Sequence, residues 1–169
     1  MDPLEDMTIL GRIGASIPGL LVPADSPLET AADLVAAAEA DPGALRWSHP
    51  GGGSLFQPTG VAFLQADGIA VRDVPFAGGS KARNAVAAGQ VESGFMGVQP
   101  GNGFEAQVRP LGVSGAEPDP ANPDVPALAE RGLPVVAPTN PQIVMAPPVL
   151  PGDVAATLAG AVEAAATRG

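Results

Sequence analysis

The chain has 169 residues, of which 46% are hydrophobic, a formal charge of -10 and no cysteine. That length suits one domain, or one lobe with part of another, and the missing cysteine excludes disulfides and thiolate metal sites. Eight scattered Lys and Arg residues leave no basic footprint, which excludes nucleic-acid binding and disfavours anionic membrane surfaces.

Glycine (22) and proline (20) fall mostly between periodic apolar segments, so a globular domain with many turns is expected rather than a disordered chain. No run of 18 apolar residues occurs, so no segment is long enough to cross a membrane as a helix. Met1-Asp2-Pro3-Leu4-Glu5-Asp6 has neither the basic nor the apolar region of a secretory leader. The expectation is a cytoplasmic protein, or one whose leader has been removed.

In chain order, Thr8-Ile9-Leu10 and Gly19-Leu20-Leu21-Val22 read as strands. Ser26 is expected to cap a helix, with Pro27 at its first position and Glu29 completing a capping box. Leu28, Ala31, Leu34, Val35 and Ala38 supply its apolar stripe, and Asp41-Pro42-Gly43 stops it. Leu45-Arg46-Trp47-Ser48 is a short strand, and His49-Pro50-Gly51-Gly52-Gly53 a first glycine loop. Ser54-Leu55-Phe56-Gln57 reads as a second capping box, opening a helix to about Ala66 that tolerates Pro58 near its start.

Ile69 to Val74 is the next strand, and Pro75-Phe76-Ala77-Gly78-Gly79 a second glycine loop. Ser80 is expected to cap a helix ending near Gly89. Strands follow at Val91 to Met96 and Val108 to Ser114, separated by a turn at Pro100-Gly101-Asn102-Gly103. Glu117 to Asp124 is a solvated acidic loop, and Val125 to Arg131 a short helix closed by Gly132. Val135 to Ala137 and Gln142 to Ala146 are short strands, and Pro151 to Thr167 is an Ala-rich helix. Strands alternating with helices predict an α/β fold, with a mainly parallel sheet flanked by helices.

Ligands of such sheets sit beyond the carboxyl ends of the strands, and both glycine loops fall at strand-to-helix joints, which is that end. A helix N-terminus offers unpaired N–H groups and a partial positive charge. Glycine lets an oxyanion approach that backbone closely. Gly51-Gly52-Gly53-Ser54 and Ala77-Gly78-Gly79-Ser80 both provide this arrangement. The plainer reading, tight turns leading into capped helices, stays open beside it.

The negative net charge does not forbid an anion site. Distant charges are screened beyond ~8 Å in physiological salt, whereas hydrogen bonds to a charged partner are worth roughly 1.5–3 kcal/mol each. Ser48, Ser54 and Gln57 are the candidate side-chain contacts. The backbones of Gly52, Gly53, Ala77 and Gly78 are candidate donors or points of close approach. Phe76 either packs on the ligand or fills the core, and Trp47 is read as core.

Ser48-His49 does not make a nucleophile–base pair, because neighbours on an extended segment point to opposite faces. No catalytic residue is expected. Glu117, Asp119 and Asp124 match no calcium-loop spacing, so neither a metal nor a cofactor is expected.

Five segments, in order along the chain, carry a resemblance. Asp25-Ser26-Pro27 and Ala40-Asp41-Pro42-Gly43 are similar to "pSSPfkT" and "anPGkl". Val74-Pro75-Phe76-Ala77-Gly78-Gly79 and Gly89-Gln90-Val91-Glu92 are similar to "VPYkGG" and "GGQVDl". The run from Asn122 to Pro134 resembles "lPDVPTlaEaGLP". The family is that of the Bug, or TctC-like, extracytoplasmic solute receptors of tripartite tricarboxylate transporters.

The resemblance implies a lobe like that of the type II periplasmic binding proteins. Residues 1–15 would be an incoming strand region, 16–138 the ligand-binding second lobe, and 139–169 a strand and helix returning to an incomplete first lobe. It further implies capture of a mono-, di- or tricarboxylate, delivery to membrane permease subunits, and a periplasmic or extracytoplasmic location, with the leader and first-lobe segment not part of this sequence. Gln57 stands where the family often has His, Met96 where it often has Asp, and "GSSGxGS" reads Ser48-His49-Pro50-Gly51-Gly52-Gly53-Ser54. Without its partner lobe the chain is expected to bind weakly, and the apolar surface meant for that lobe is a candidate dimer contact. A receptor-like sensor, or a hydrolase using the same oxyanion cradle, are the rival readings.

Overall fold

The computed structural model describes residues 6–66, 68–98, 104, 106–131 and 140–167. The elements in chain order are β1 (Thr8–Ser16), β2 (Pro18–Pro23), α1 (Ala31–Ala40), β3 (Arg46–His49), α2 (Phe56–Ala66), β4 (Arg72–Pro75), α3 (Gly79–Ala87), β5 (Ser93–Gly97), β6 (Val108–Val113), a 3₁₀ turn (Leu128–Arg131), β7 (Asn140–Ala146) and α4 (Gly152–Ala166). They divide into two compact units. One is Met1–Ser16 with Asn140–Gly169, and the other is Ile17–Thr139.

The larger unit is built on a five-stranded sheet of order β4-β3-β5-β2-β6. β3 pairs in parallel with β4 and β5, while β2 pairs antiparallel with both β5 and β6. Four strands therefore run one way and β2 runs against them, which is the mainly parallel α/β sheet expected. Its central strands are buried on both faces, so their side chains alternate between two cores. Leu20, Val22, Trp47 and Phe95 face one cluster, completed by Leu34, Phe63 and Leu128. Leu21 and Met96 face the other, with Ala82, Ala85 and Val86 of α3. In the aromatic part of the first cluster, Phe95 lies 6.1 Å from Trp47, edge-on, and 5.5 Å from Phe63.

α1 starts four residues later than the Ser26-Pro27 signal predicts. Thr30 is the cap: its hydroxyl accepts the Asp33 N–H at 3.2 Å, and the Asp33 carboxylate accepts the N–H groups of Thr30 (2.8 Å) and Glu29 (3.1 Å). These hydrogen bonds hold the Asp33 carboxyl below the usual carboxylate range, the Thr30 bonds contributing most. The segment before the cap is held out of the helix by β6. The Arg109 guanidinium donates to the carbonyls of Ala24, Ser26 and Leu28 at 3.3, 2.8 and 2.9 Å, which leaves those oxygens no helical role. Ser26 Oγ accepts the Leu28 N–H instead, a local turn.

The other two predicted caps also move. α2 begins at Phe56, which puts Leu55 and not Ser54 in the cap position. α3 is capped by the backbone of Gly78, without a side-chain hydrogen bond, so Ser80 lies inside the helix. In the 117–124 loop Asp119 is buried rather than solvated, its carboxylate accepting the Ala121 N–H at 3.0 Å. The short helix predicted from Val125 shrinks to the 3₁₀ turn, because Ala127 is drawn into a parallel bridge with Val113. The turn at 100–103, Gly132 and the strand at 135–137 lie outside the described residues.

The smaller unit is an antiparallel ribbon of β1 and β7 with α4 against it. A Cβ at Gly11 would come within 2.8 Å of Val162, so the helix rests where the strand has no side chain. Among the described residues of α4 none is buried, and Ile9, Ile13, Met145 and Leu158 are 40–51% exposed. A two-stranded ribbon with one helix buries too little to cover its own apolar residues.

Candidate functional site

In the larger unit, both glycine loops leave the sheet at the carboxyl edges of neighbouring strands. β3 and β4 pair in register from Arg46↔Arg72 to His49↔Pro75, so the loops start side by side. The backbone then joins them. The Phe76 N–H donates to the His49 carbonyl at 3.0 Å, and the Gly78 N–H lies 3.3 Å from the Pro50 carbonyl and 2.9 Å from the Phe76 carbonyl. Gly51 (φ 107°) and Gly78 (φ 104°) adopt backbone that L residues avoid. A Cβ at Gly51 would meet the Phe76 carbonyl oxygen at 3.1 Å, so glycine also permits the close approach of one loop to the other.

Of the candidate residues, Gly52, Gly53 and Ala77 lie exposed at this edge, with Ser54, Gln57, Phe76 and Gly78 half-buried beside them. Ser54 Oγ donates to the Gly51 carbonyl at 2.8 Å and closes the loop. Gln57 sits over Gly52, its Oε1 3.7 Å from where a Cβ would be, and its Nε2 donates to Asp73 Oδ2 at 3.3 Å. Phe76 packs against the α3-side core while remaining half-buried.

Two candidate residues are engaged by contacts within the chain. Ser48 is fully buried and donates its hydroxyl to the Ala82 carbonyl at 3.1 Å, so it braces α3. It points there because it is one residue off the Trp47/His49 face of β3. Gly78 contributes conformation rather than a donor, its N–H being spent between the loops. The free donors at this helix are the first-turn N–H groups of Gly79, Ser80 and Lys81, which have no intrahelical partner and no side-chain cap. Lys81, the only lysine of the chain, adds an exposed positive charge to that turn.

Sequence reasoning missed Asp73 and undervalued His49. His49 is fully buried, its ring centroid 4.9 Å from that of Trp47. Its Nδ1 accepts the Gly51 N–H at 3.2 Å, and its Nε2 lies 2.5 Å from Asp73 Oδ1. That last contact is close, but the ring N–H is not aimed along it. Nε2 is thus in close contact with Asp73 rather than in an aligned hydrogen bond. Asp73 stands directly across from Trp47 in the β3–β4 register, a pairing that has no signal in the sequence. Among the described residues no group of three His, Asp or Glu side chains could hold a metal ion.

A pocket of about 510 Å³ opens at the other edge of the sheet, lined by Pro23, Ser26, Leu28, Ala37, Leu45 and Val91 among others. Its charged lining residues, Asp25 and Glu92, are both acidic. Glu92 is also committed to structure. Arg46 donates to it from Nη2 (2.7 Å), Nε (3.2 Å) and the backbone (2.7 Å). Burial pushes the Glu92 carboxyl up, but these hydrogen bonds and the Arg46 charge outweigh it and hold it below its ordinary value. The Arg46 guanidinium is raised by the same pairing.

A sheet with one reversed strand between β5 and β6, flanked by helices, is a fold of the type II periplasmic-binding class. Within that class, the chain belongs to the tripartite tricarboxylate transporter receptors of the TctC family, whose pattern matches residues 1–168. A Cupriavidus necator protein from the gbd 5' region is 29% identical over 151 residues, 86% of this chain and 45% of that one. An R. palustris protein solved with adipate superposes with a TM-score of 0.87 at 24% identity, over 97% of this chain and 56% of that one. The malate-bound MatC of Rhodopseudomonas palustris gives 0.80 at 25% identity, over 94% and 55%. The chain thus spans about half the length of its relatives.

Proposed function

We propose that this chain is the ligand-binding part of an extracytoplasmic receptor that captures a small mono-, di- or tricarboxylate and delivers it to the permease subunits of a tripartite transporter. The observation that carries this reading is the pair of glycine loops, joined by backbone hydrogen bonds and flanked by the uncapped first turn of α3. The N–H groups of Gly79, Ser80 and Lys81 are dipole-assisted donors of the kind a carboxylate accepts. The relatives solved with adipate and malate support the same ligand class.

The unit Ile17–Thr139 is then the second lobe, and Met1–Ser16 with Asn140–Gly169 belongs to the first. The exposed apolar residues of the β1–β7 ribbon and α4 support that division, since a completed lobe would cover them. The role is binding rather than catalysis. The only histidine is fully buried, with Nδ1 already accepting a hydrogen bond, so it is not presented to a substrate as a base.

Calorimetry tests the reading on a chimera in which the Cupriavidus relative supplies the remaining half of the family length. Malate, adipate and citrate are titrated against the corresponding neutral amides. Heat with at least one carboxylate and none with its amide is expected. Silence with all three acids refutes the proposal.

A further inference from the structure

Resting on the carboxylate reading of the loops, we propose that His49 is the positioning residue of the site: its side chain sets the first glycine loop, its backbone carbonyl ties that loop to the second, and Asp73 selects the tautomer in which the side chain can do so. The residue touches both loops at once. Its Nδ1 accepts the Gly51 N–H at 3.2 Å, at the point where the chain turns into positive φ. Its carbonyl accepts the Phe76 N–H of the second loop at 3.0 Å.

An imidazole nitrogen accepts a hydrogen bond only when it carries no proton. With Nδ1 accepting, the ring proton belongs on Nε2, and Nε2 is the atom 2.5 Å from Asp73 Oδ1. The second Asp73 oxygen takes the Gln57 amide at 3.3 Å, and Gln57 in turn lies over Gly52. A continuous path therefore runs from Gln57 through Asp73 and His49 to Gly51, and it encloses the exposed Gly52-Gly53 segment. The ring is fully buried and packed against Trp47, which restricts its freedom to turn.

The geometry at Gly51 is that of an Asx turn made by a histidine, a side-chain acceptor two residues before the N–H it binds. This supplies a discriminating pair of variants. In His49→Asn the amide oxygen reproduces the Nδ1 acceptor and loses the reach to Asp73. In His49→Gln the reach to Asp73 is kept and the acceptor near Gly51 is lost. Both open a similar space beside Trp47, so a purely structural role would penalise them alike.

The measurement is nitrogen-15 NMR of the 169-residue chain, in which a single histidine makes the ring signals unambiguous. In the wild type, Nδ1 is expected unprotonated and Nε2 protonated. Exchange of the Gly51 amide should stay within about threefold of wild type in His49→Asn and rise roughly tenfold or more in His49→Gln, the loss expected for one hydrogen bond. Equal exchange in the two variants, or a wild-type proton on Nδ1, overturns the inference, and the second readout stands even if a variant fails to fold. Titration of malate, adipate and citrate into the completed chimera separates the two proposals: silence there sinks the carboxylate reading, while the exchange comparison in the 169-residue chain still decides the role of His49.

Discussion

Gly78→Ala isolates backbone strain at the site from every other effect. Gly78 caps α3 at φ 104°, ψ 161°, a region essentially reserved for glycine. A Cβ there would meet nothing within 4 Å, so no clash contributes and the cost is conformational alone. Such a conformation costs about 1–3 kcal/mol for an L residue. The loss of unfolded-chain freedom offsets roughly 0.4–1 kcal/mol of it, leaving a net destabilisation of ~0–2.6 kcal/mol.

The neighbouring Gly79→Ala is the control. Gly79 is the first helical residue, outside the positive-φ set, and its Cβ would sit 3.9 Å from Pro50. It should stabilise by about 0.4–1 kcal/mol through the same unfolded-state term. The difference between the two variants cancels that term and leaves the strain, about 1–3 kcal/mol. Urea unfolding followed by Trp47 fluorescence reports on this unit, because the single tryptophan is buried in it. With a slope of ~2 kcal/mol per molar, the midpoints should differ by roughly 1 M. Coincident midpoints for the two variants would refute the strain argument, and with it the claim that Gly78 fixes the entry to α3.

Three further outcomes are expected. Gly60→Ala should destabilise by ~1–3 kcal/mol in the same urea assay, since a methyl there overlaps the Trp47 ring. Ser48→Ala should cost about 0.5–1.5 kcal/mol for the bond to Ala82, yet leave malate or adipate affinity unchanged, because the hydroxyl is buried on the α3 side. Glu92→Gln should remove a pH-dependent part of stability. Its carboxyl is lowered in the folded state, so the stabilisation is present above the ordinary value of 4.5 and fades as pH falls through the folded value. The gap between wild-type and Glu92→Gln urea midpoints should therefore be widest near neutrality and close in acid.

Much of this fold was legible in the chain itself. Strand and helix positions follow from local apolar runs, from the 3.6-residue stripe of Ala31, Leu34 and Ala38, and from glycine and proline at the joints. These are short-range signals, and the sequence contains them in full. The helix starts were harder, because Ser26-Pro27-Leu28-Glu29 and Thr30-Ala31-Ala32-Asp33 are competing caps four residues apart. Arg109, more than eighty positions away, decides between them by occupying the upstream carbonyls.

The two glycine loops divide along the same line. The sequence by itself determined that Gly51-Gly52-Gly53 and Gly78-Gly79 stand at strand-to-helix joints, since that depends only on neighbouring residues. Only the tertiary structure decided that the loops lie side by side, that Ser48 faces away from them, and that Asp73 meets His49. The pairing of β3 with β4 sets those contacts across more than twenty residues of sequence. Register and strand direction come from packing on two buried faces, which no local pattern encodes.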